Sequence, residues 1–225
     1  MDNLIKSADK KILIAPSILS ADFSALGAAA VKMERAGADL LHCDVMDGVF
    51  VPNITFGPKT VADLKKATRL PLDVHLMIVE PQKYVDAFID AGADFLTIHY
   101  EAAGKQLIPT LQKIRARGVK SGAVISPDTP VAVLKDCLAY CDLALLMSVY
   151  PGFGGQKFIG GSLKRLTELT ELGKAANPGI LIEIDGGVTL DNAKSIAAAG
   201  ADILVAGNTV FSHPNPAAAV LALRG

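Results

Sequence analysis

Ala36-Gly37-Ala38-Asp39-Leu40-Leu41-His42-Cys43-Asp44-Val45-Met46-Asp47-Gly48 holds a joint, a strand and a turn in succession. The joint, Ala-Gly-Ala-Asp, recurs at 91–94 and 199–202, each time between a helix-patterned segment and an apolar run. A glycine at such a point can take the left-handed conformation that ends a helix. The recurrence therefore predicts one βα unit used repeatedly. The run 40–46 reads as a strand, with His42, Asp44 and Met46 on one face and Cys43 and Val45 on the other. Asp47-Gly48 then closes it with turn chemistry.

Moving outward, apolar runs at 12–17, 40–46, 72–77, 95–99, 121–125, 143–149, 181–185 and 203–206 read as strands. Helical spacing fills the gaps at 24–36, 58–68, 81–91, 105–117, 130–140, 161–176 and 190–199, with a last helix at 215–224. Such alternation predicts an α/β single domain, a (β/α)8 TIM barrel over 12–225 preceded by an N-terminal extension, 1–11. An open doubly wound sheet is the competing arrangement. A chain of 225 residues suits one large domain better than two.

Composition removes whole classes of function. With 51% hydrophobic and 20% charged residues the chain is not disordered, and a net charge of -1 without a basic stretch argues against nucleic acid. No apolar run reaches the length of a membrane span, and 1–10 is too polar for a secretory signal. Cys43, Cys137 and Cys141 lack Cys-x-x-Cys spacing and read as reduced thiols, which suits the cytoplasm, or an organelle stroma after loss of a targeting peptide.

Chemistry is expected at the carboxyl ends of barrel strands. His42, Asp44, His75 and Asp185 fall there, from the second, third and seventh strands. Polar groups in apolar strands are costly unless paired or bound to a cation. A His2Asp2 set without thiolate suits Zn²⁺, Fe²⁺, Mn²⁺ or Co²⁺. We expect one divalent ion per subunit, with Zn²⁺ foremost. Asp44 and Asp185 on opposite sides of one pocket would make an acid/base pair. One would remove a proton beside a ketone and the other would give its own proton to the opposite face of the enediolate. Met46, Met77 and Met147 occupy comparable strand ends, either as core packing or as a soft apolar cap over the reacting carbons.

Glycine clusters follow the last three strands: Gly152-Phe153-Gly154-Gly155, Gly186-Gly187, and Gly207-Asn208 leading into a short turn at 208–211. Their backbone N–H groups are placed to receive phosphate, and the first cluster is expected to act as a mobile lid. Cys137 and Cys141 are read as packing residues and His213 as surface; His99 beside Glu101 is either a support behind the metal ligands or a hydrogen-bonded strand-end histidine, and the second is favoured.

Five stretches together resemble the ribulose-phosphate 3-epimerase family. They are Ile14-Ala15-Pro16-Ser17-Ile18-Leu19-Ser20-Ala21-Asp22-Phe23, His42 to Gly48 with Phe50-Val51-Pro52-Asn53, Asp73-Val74-His75-Leu76-Met77, Met147 to Gln156, and Glu183-Ile184-Asp185-Gly186-Gly187. The likeness runs in order from about residue 12 to the end. It implies interconversion of D-ribulose 5-phosphate and D-xylulose 5-phosphate, as in the pentose phosphate pathway and the Calvin cycle. By position it implies that His42, Asp44, His75 and Asp185 ligate the metal and that Asp44 and Asp185 are catalytic. It further implies that Ser17, His75, 152–155, 185–187 and 207–208 contact substrate. The family is often oligomeric, so a homo-oligomer from dimer to hexamer is expected, with a small pentulose phosphate as the other partner.

Two positions depart from the family pattern. Tyr150 stands where Asn is common, and Gly207-Asn208 where a Gly-Ser pair is usual; both bear on lid and phosphate contacts. Hexulose-phosphate relatives resemble Gly-Phe-Ala-Gly in the sixth loop, so Gly-Phe-Gly-Gly here favours the pentulose. From another class, a sugar-phosphate-binding barrel without catalysis would be expected to lose Asp44 or Asp185, and neither is lost.

Overall fold

A computed structural model describes residues 11–225; the expected extension lies outside the described residues except for Lys11. Eight parallel strands form the sheet: β1 (Leu13–Ala15), β2 (Leu41–Met46), β3 (Leu72–Met77), β4 (Phe95–His99), β5 (Lys120–Ile125), β6 (Leu143–Met147), β7 (Leu181–Asp185) and β8 (Ile203–Val205). From β2 onward each strand pairs with the next, and β8 pairs with β1. A parallel bridge from Ser17 to His42 closes the remaining seam between β1 and β2. The result is a (β/α)8 barrel, and the open-sheet alternative is excluded.

Helices α1 (Leu26–Arg35), α2 (Pro58–Ala67), α3 (Val85–Asp90), α4 (Tyr100–Ala103), α5 (Leu107–Ala116), α6 (Ser162–Ala176), α7 (Ala193–Ala198), α8 (Asn208–Phe211) and α9 (Pro216–Arg224) alternate with the strands. The expected helix at 130–140 is instead two 3-10 turns, Val131–Leu134 and Leu138–Tyr140. Its buried Val131 and Leu134 stand three apart, the period of a 3-10 turn, and β-branched Val131 and Val133 weaken an α-helix.

Strand residues that face outward, such as Cys43, Val45, Val74, Leu76, Leu96, Ile98, Ile182 and Ile184, join one core with helix residues. On α6, Leu166, Leu169 and Gly173 follow helical spacing and are buried. A Cβ added at Gly173 would lie 3.1 Å from Ile182 Cδ1, so glycine lets this helix approach the sheet. Truncating Leu166, which is fully buried, would cost roughly 2–5 kcal/mol. Inside the barrel the base is plugged by Leu13, Leu143 and Ile203 with Phe95 and Leu181.

The recurring joint has a function at that base. Asp39 Oδ2 accepts from Ile14 N (2.9 Å) while Asp39 N donates to Ile14 O (2.9 Å). Asp94 makes the same pair with Leu72 (2.8 and 2.9 Å), and Asp202 with Ile182 (2.8 and 2.7 Å). Asp142 does so with Ser121 (3.1 and 2.8 Å), although its local sequence is Tyr140-Cys141-Asp142 and lacks the repeat. Each clasp joins β1 to β2, β3 to β4, β5 to β6, or β7 to β8. Each aspartate also meets a cation: Lys11 and Arg224, Lys65, Arg115, or Lys174. The glycines of the three joints have φ of +83°, +98° and +115°, the left-handed region that the joint requires.

Candidate active site and metal centre

Register carries the polar residues of the strands into one place. His42 pairs with Asp73 and Asp44 with His75 across β2 and β3, and Met147 pairs with Asp185 across β6 and β7. One ligand atom from each of His42, Asp44, His75 and Asp185 lies within 4.8 Å of all the others. His42 Nε2 is 3.3 Å from Asp44 Oδ1 and 4.0 Å from Asp185 Oδ2, and His75 Nδ1 is 3.5 Å from Asp44 Oδ1.

The two nitrogens that face this centre, His42 Nε2 and His75 Nδ1, are buried without a hydrogen-bond partner. Their opposite nitrogens are held. Asp73 Oδ2 is 2.5 Å from His42 Nδ1, and His99 Nε2 is 2.9 Å from His75 Nε2. A ring nitrogen left bare in a buried cluster of carboxylates is what a divalent cation satisfies. The four donors, two nitrogens and two carboxylates, fit an ion of the Zn²⁺, Fe²⁺, Mn²⁺ or Co²⁺ type. A second cluster beneath it joins His42, Asp73 and Glu183, whose two carboxylate oxygens are buried without a partner.

The electrostatics separate the two aspartates. Burial alone would raise the Asp44 carboxyl, but His42 and His75 outweigh it and hold Asp44 well below the usual carboxylate range. Asp185 is pushed up to about 7, by burial first and then by the charge of Asp44. His75 falls to about 4 because burial outweighs the attraction of the Asp44 carboxylate 3.5 Å away. For His42, burial works downward but the carboxylates of Asp44 and Asp73 raise it well above the ordinary histidine value. Glu183 is pushed well up by burial and by Asp73.

Above the cluster opens a cavity of about 170 Å³. Asp44 and Asp185 line it, as do Ser17, Met46, Met77 and Met147, whereas His42 and His75 lie fully buried beneath its floor. Ser17 donates to Asp44 Oδ2 and accepts from Leu19 N, so one hydroxyl ties the cavity wall to the carboxylate. Met46 and Met77 pack with Val51, Leu19 and Phe50, which makes them core and cavity lining at once.

The glycine loops surround the other end of the cavity. Gly152, Phe153, Gly154, Gly155, Gly186, Gly187, Gly207 and Asn208 all line it. Gly187 has φ +65°, and an added Cβ would stand 2.4 Å from Phe158 N. Only glycine lets these two backbones pass. The short α8 begins at Asn208, as the sequence indicates. Over the cavity, Asn53 Nδ2 donates to Gly152 O (2.8 Å), and Gln156 Nε2 donates to Tyr150 O (2.6 Å) and Phe153 O (2.8 Å). Phe153 is 56% exposed. Tyr150 turns away and donates to Asp128 Oδ1 (2.9 Å).

Part of the cluster differs from the favoured sequence reading. His99 takes the less favoured of its two expected roles, because its Nε2 touches His75. Asp73 holds His42 and Glu183 lies beside it, 3.8 Å from His42 Nδ1; the period of two that exposed His75 and Asp185 also placed these residues on the inner face.

Residues 13–211 match the Ribulose-phosphate 3 epimerase family. The chain is 49% identical over 215 residues to the ribulose-phosphate 3-epimerase of Bacillus subtilis, covering 95% of this chain and 99% of that protein. It is 47% identical to the chloroplastic ribulose-5-phosphate-3-epimerase of Arabidopsis thaliana, covering 95% and 76%. Among solved structures, 3-keto-L-gulonate-6-phosphate decarboxylase from Vibrio cholerae superposes with a TM-score of 0.72 at 16% identity, covering 95% and 97%. That last likeness concerns the fold alone.

Proposed function

The chain belongs to the ribulose-phosphate 3-epimerase family and is an epimerase, an isomerase acting on carbohydrates; from that premise we propose that it interconverts D-ribulose 5-phosphate and D-xylulose 5-phosphate with Asp44 and Asp185 as its acid/base pair. The observation that carries the reading is that two carboxylates from different strands, Asp44 of β2 and Asp185 of β7, line one cavity; burial and the charge of Asp44 raise Asp185 to about 7, while the histidines hold Asp44 down. Near neutrality one is ready to take a proton and the other to give one.

His42, Asp44, His75 and Asp185 would hold a divalent ion, which supplies electrophilic polarisation of the substrate's ketone when bound. The chain's own residues do the rest. The ionised aspartate takes the proton from C3, the electron pair passes toward the C2 carbonyl, and a planar enediolate results. The protonated aspartate gives its proton to C3 from the opposite face, inverting that carbon. In the reverse direction the two exchange roles. Ser17 holds Asp44 in place, and Met46, Met77 and Met147 form the apolar wall that keeps water from the enediolate. The phosphate is assigned to the glycine loops at 186–187 and 207–208, with 152–155 as the lid. His75 reaches substrate only through the centre it helps to form.

Among the described residues no helix is long and apolar enough to cross a membrane. A homo-oligomer in the cytoplasm, or in a plastid stroma like that implied by the name of the A. thaliana relative, is part of the same proposal. The deciding experiment is incubation of ribulose 5-phosphate with the protein in deuterated water. Deuterium at C3 of both epimers is expected, and an unlabelled C3 would overturn the reading.

A further inference from the structure

We propose that Glu101 is a positioning residue for the metal centre: acting through His99, it fixes His75 in the tautomer whose Nδ1 lone pair faces Asp44. The inference rests on the reading of His75 as a metal ligand. Glu101 lies in α4, directly after β4, and its carboxylate is anchored at the end of β5. Its Oε1 accepts from Ser126 N (2.8 Å) and from the Thr129 hydroxyl. Arg165 in turn pins that loop by donating to Ser126 O (2.9 Å) and Thr129 O (2.8 Å).

The remaining oxygen, Oε2, faces His99 Nδ1 at 3.1 Å. An ionised carboxylate only accepts, so the proton of His99 sits on Nδ1. Ser126 Oγ, 3.4 Å from the same nitrogen, can accept it as well. A neutral imidazole has one donor and one acceptor, so His99 Nε2 then carries a lone pair. His75 Nε2 stands 2.9 Å from it and must donate. His75 Nδ1 is left bare, and it is the nitrogen found without a partner 3.5 Å from Asp44 Oδ1. A doubly protonated His99 would reverse this outcome. It is opposed by the full burial of the ring, where an added charge is costly.

Glu101→Gln tests the relay with almost no change of shape. The amide oxygen is claimed by the fixed N–H of Ser126, which turns the amide –NH2 toward His99 Nδ1. His99 Nδ1 then becomes the acceptor, His99 Nε2 the donor, and His75 Nδ1 receives the proton that blocks the centre. Two measurements read this: histidine tautomers by 15N NMR on the metal-free protein, and Zn²⁺ affinity by chelator competition.

In the unaltered protein His75 should be protonated on Nε2 and bare on Nδ1. In the variant these states should exchange, and Zn²⁺ affinity should fall by about 10- to 100-fold. A proton on Nδ1 of His75 in the unaltered protein overturns the proposal. So does a variant that keeps the original tautomers or binds Zn²⁺ within roughly two-fold of the parent. Should Glu101→Gln not fold, the tautomers of the unaltered protein decide alone. Correct tautomers without Zn²⁺ binding would support the relay and instead defeat the metal reading on which the function rests.

Discussion

The two ends of the barrel use the same residue in opposite ways. At the base, Asp39, Asp94, Asp142 and Asp202 each accept a backbone N–H and meet a cation. At the mouth, Asp44 and Asp185 face two histidines and each other, and no lysine or arginine pairs with them among the described residues. Carboxylates whose needs are met within the chain hold the strands together. Carboxylates whose needs are met only in part diverge, Asp44 held low and Asp185 raised toward neutrality, and they leave a place for an ion. The mouth is thereby reactive at some expense in stability, and the base carries none of that expense.

The contrast would be broken most directly at Asp185. Asp185→Asn, or Asp44→Asn, should lower turnover by about 10²–10⁴-fold with the fold retained, read as loss of C3 deuterium exchange. Near-parental exchange in either variant would end the two-carboxylate mechanism. Stripping divalent ions with a chelator should lower the rate on the order of 10³-fold and be reversed by adding Zn²⁺ or Mn²⁺.

Stability should respond with the opposite sign. Asp185 has a folded pKa of about 7 against 3.8 for the free group, so the folded chain keeps a proton that the unfolded chain has lost. Its contribution to stability therefore falls as pH rises from about 4 to about 7 and then levels off. Asp185→Asn in the metal-free protein should be the more stable form above pH ~7, by a few kcal/mol on the order of that shift, and should lose the advantage in acid. Urea titrations across that pH range would show it, and an Asn variant less stable at pH ~8 would count against the raised carboxyl.

At the base, Asp94→Ala should cost about 1–3 kcal/mol of stability while kcat/KM stays within about two-fold, because it removes a partly buried acceptor far from the cavity. Lys65→Ala, which removes only the partly exposed partner of Asp94, should cost less than about 1 kcal/mol, and less still in salt. A loss of turnover in Asp94→Ala comparable to that in Asp44→Asn would erase the distinction between the ends.

Much of this was legible in the chain before folding. The period of two in 40–46 and 72–77 put His42, Asp44 and His75 on the inner face, and the structure brings those residues together with Asp185. The joints at 36–39, 91–94 and 199–202 announced the repeated unit. What could not be read was cross-strand. Nothing in Tyr140-Cys141-Asp142 marks it as the fourth clasp, because its backbone bonds rather than its neighbours define it. The sequence leaves two roles open for His99 and favours the ordinary strand-end one; only the side-chain contact from β3, His75 Nε2 against His99 Nε2, decides between them. The helix expected at 130–140 failed because apolar spacing alone does not distinguish a 3-10 turn from an α-turn.

The clasps at the base divide the chain into four consecutive pairs of strands, with none spanning from one pair to the next. A circular permutant opened at 68–71, between β2 and β3, would leave every clasp whole, whereas one opened at 36–39 would sever the first. The barrel should accept new termini, or be reassembled from separately expressed fragments, at the borders between quarters and resist both within them.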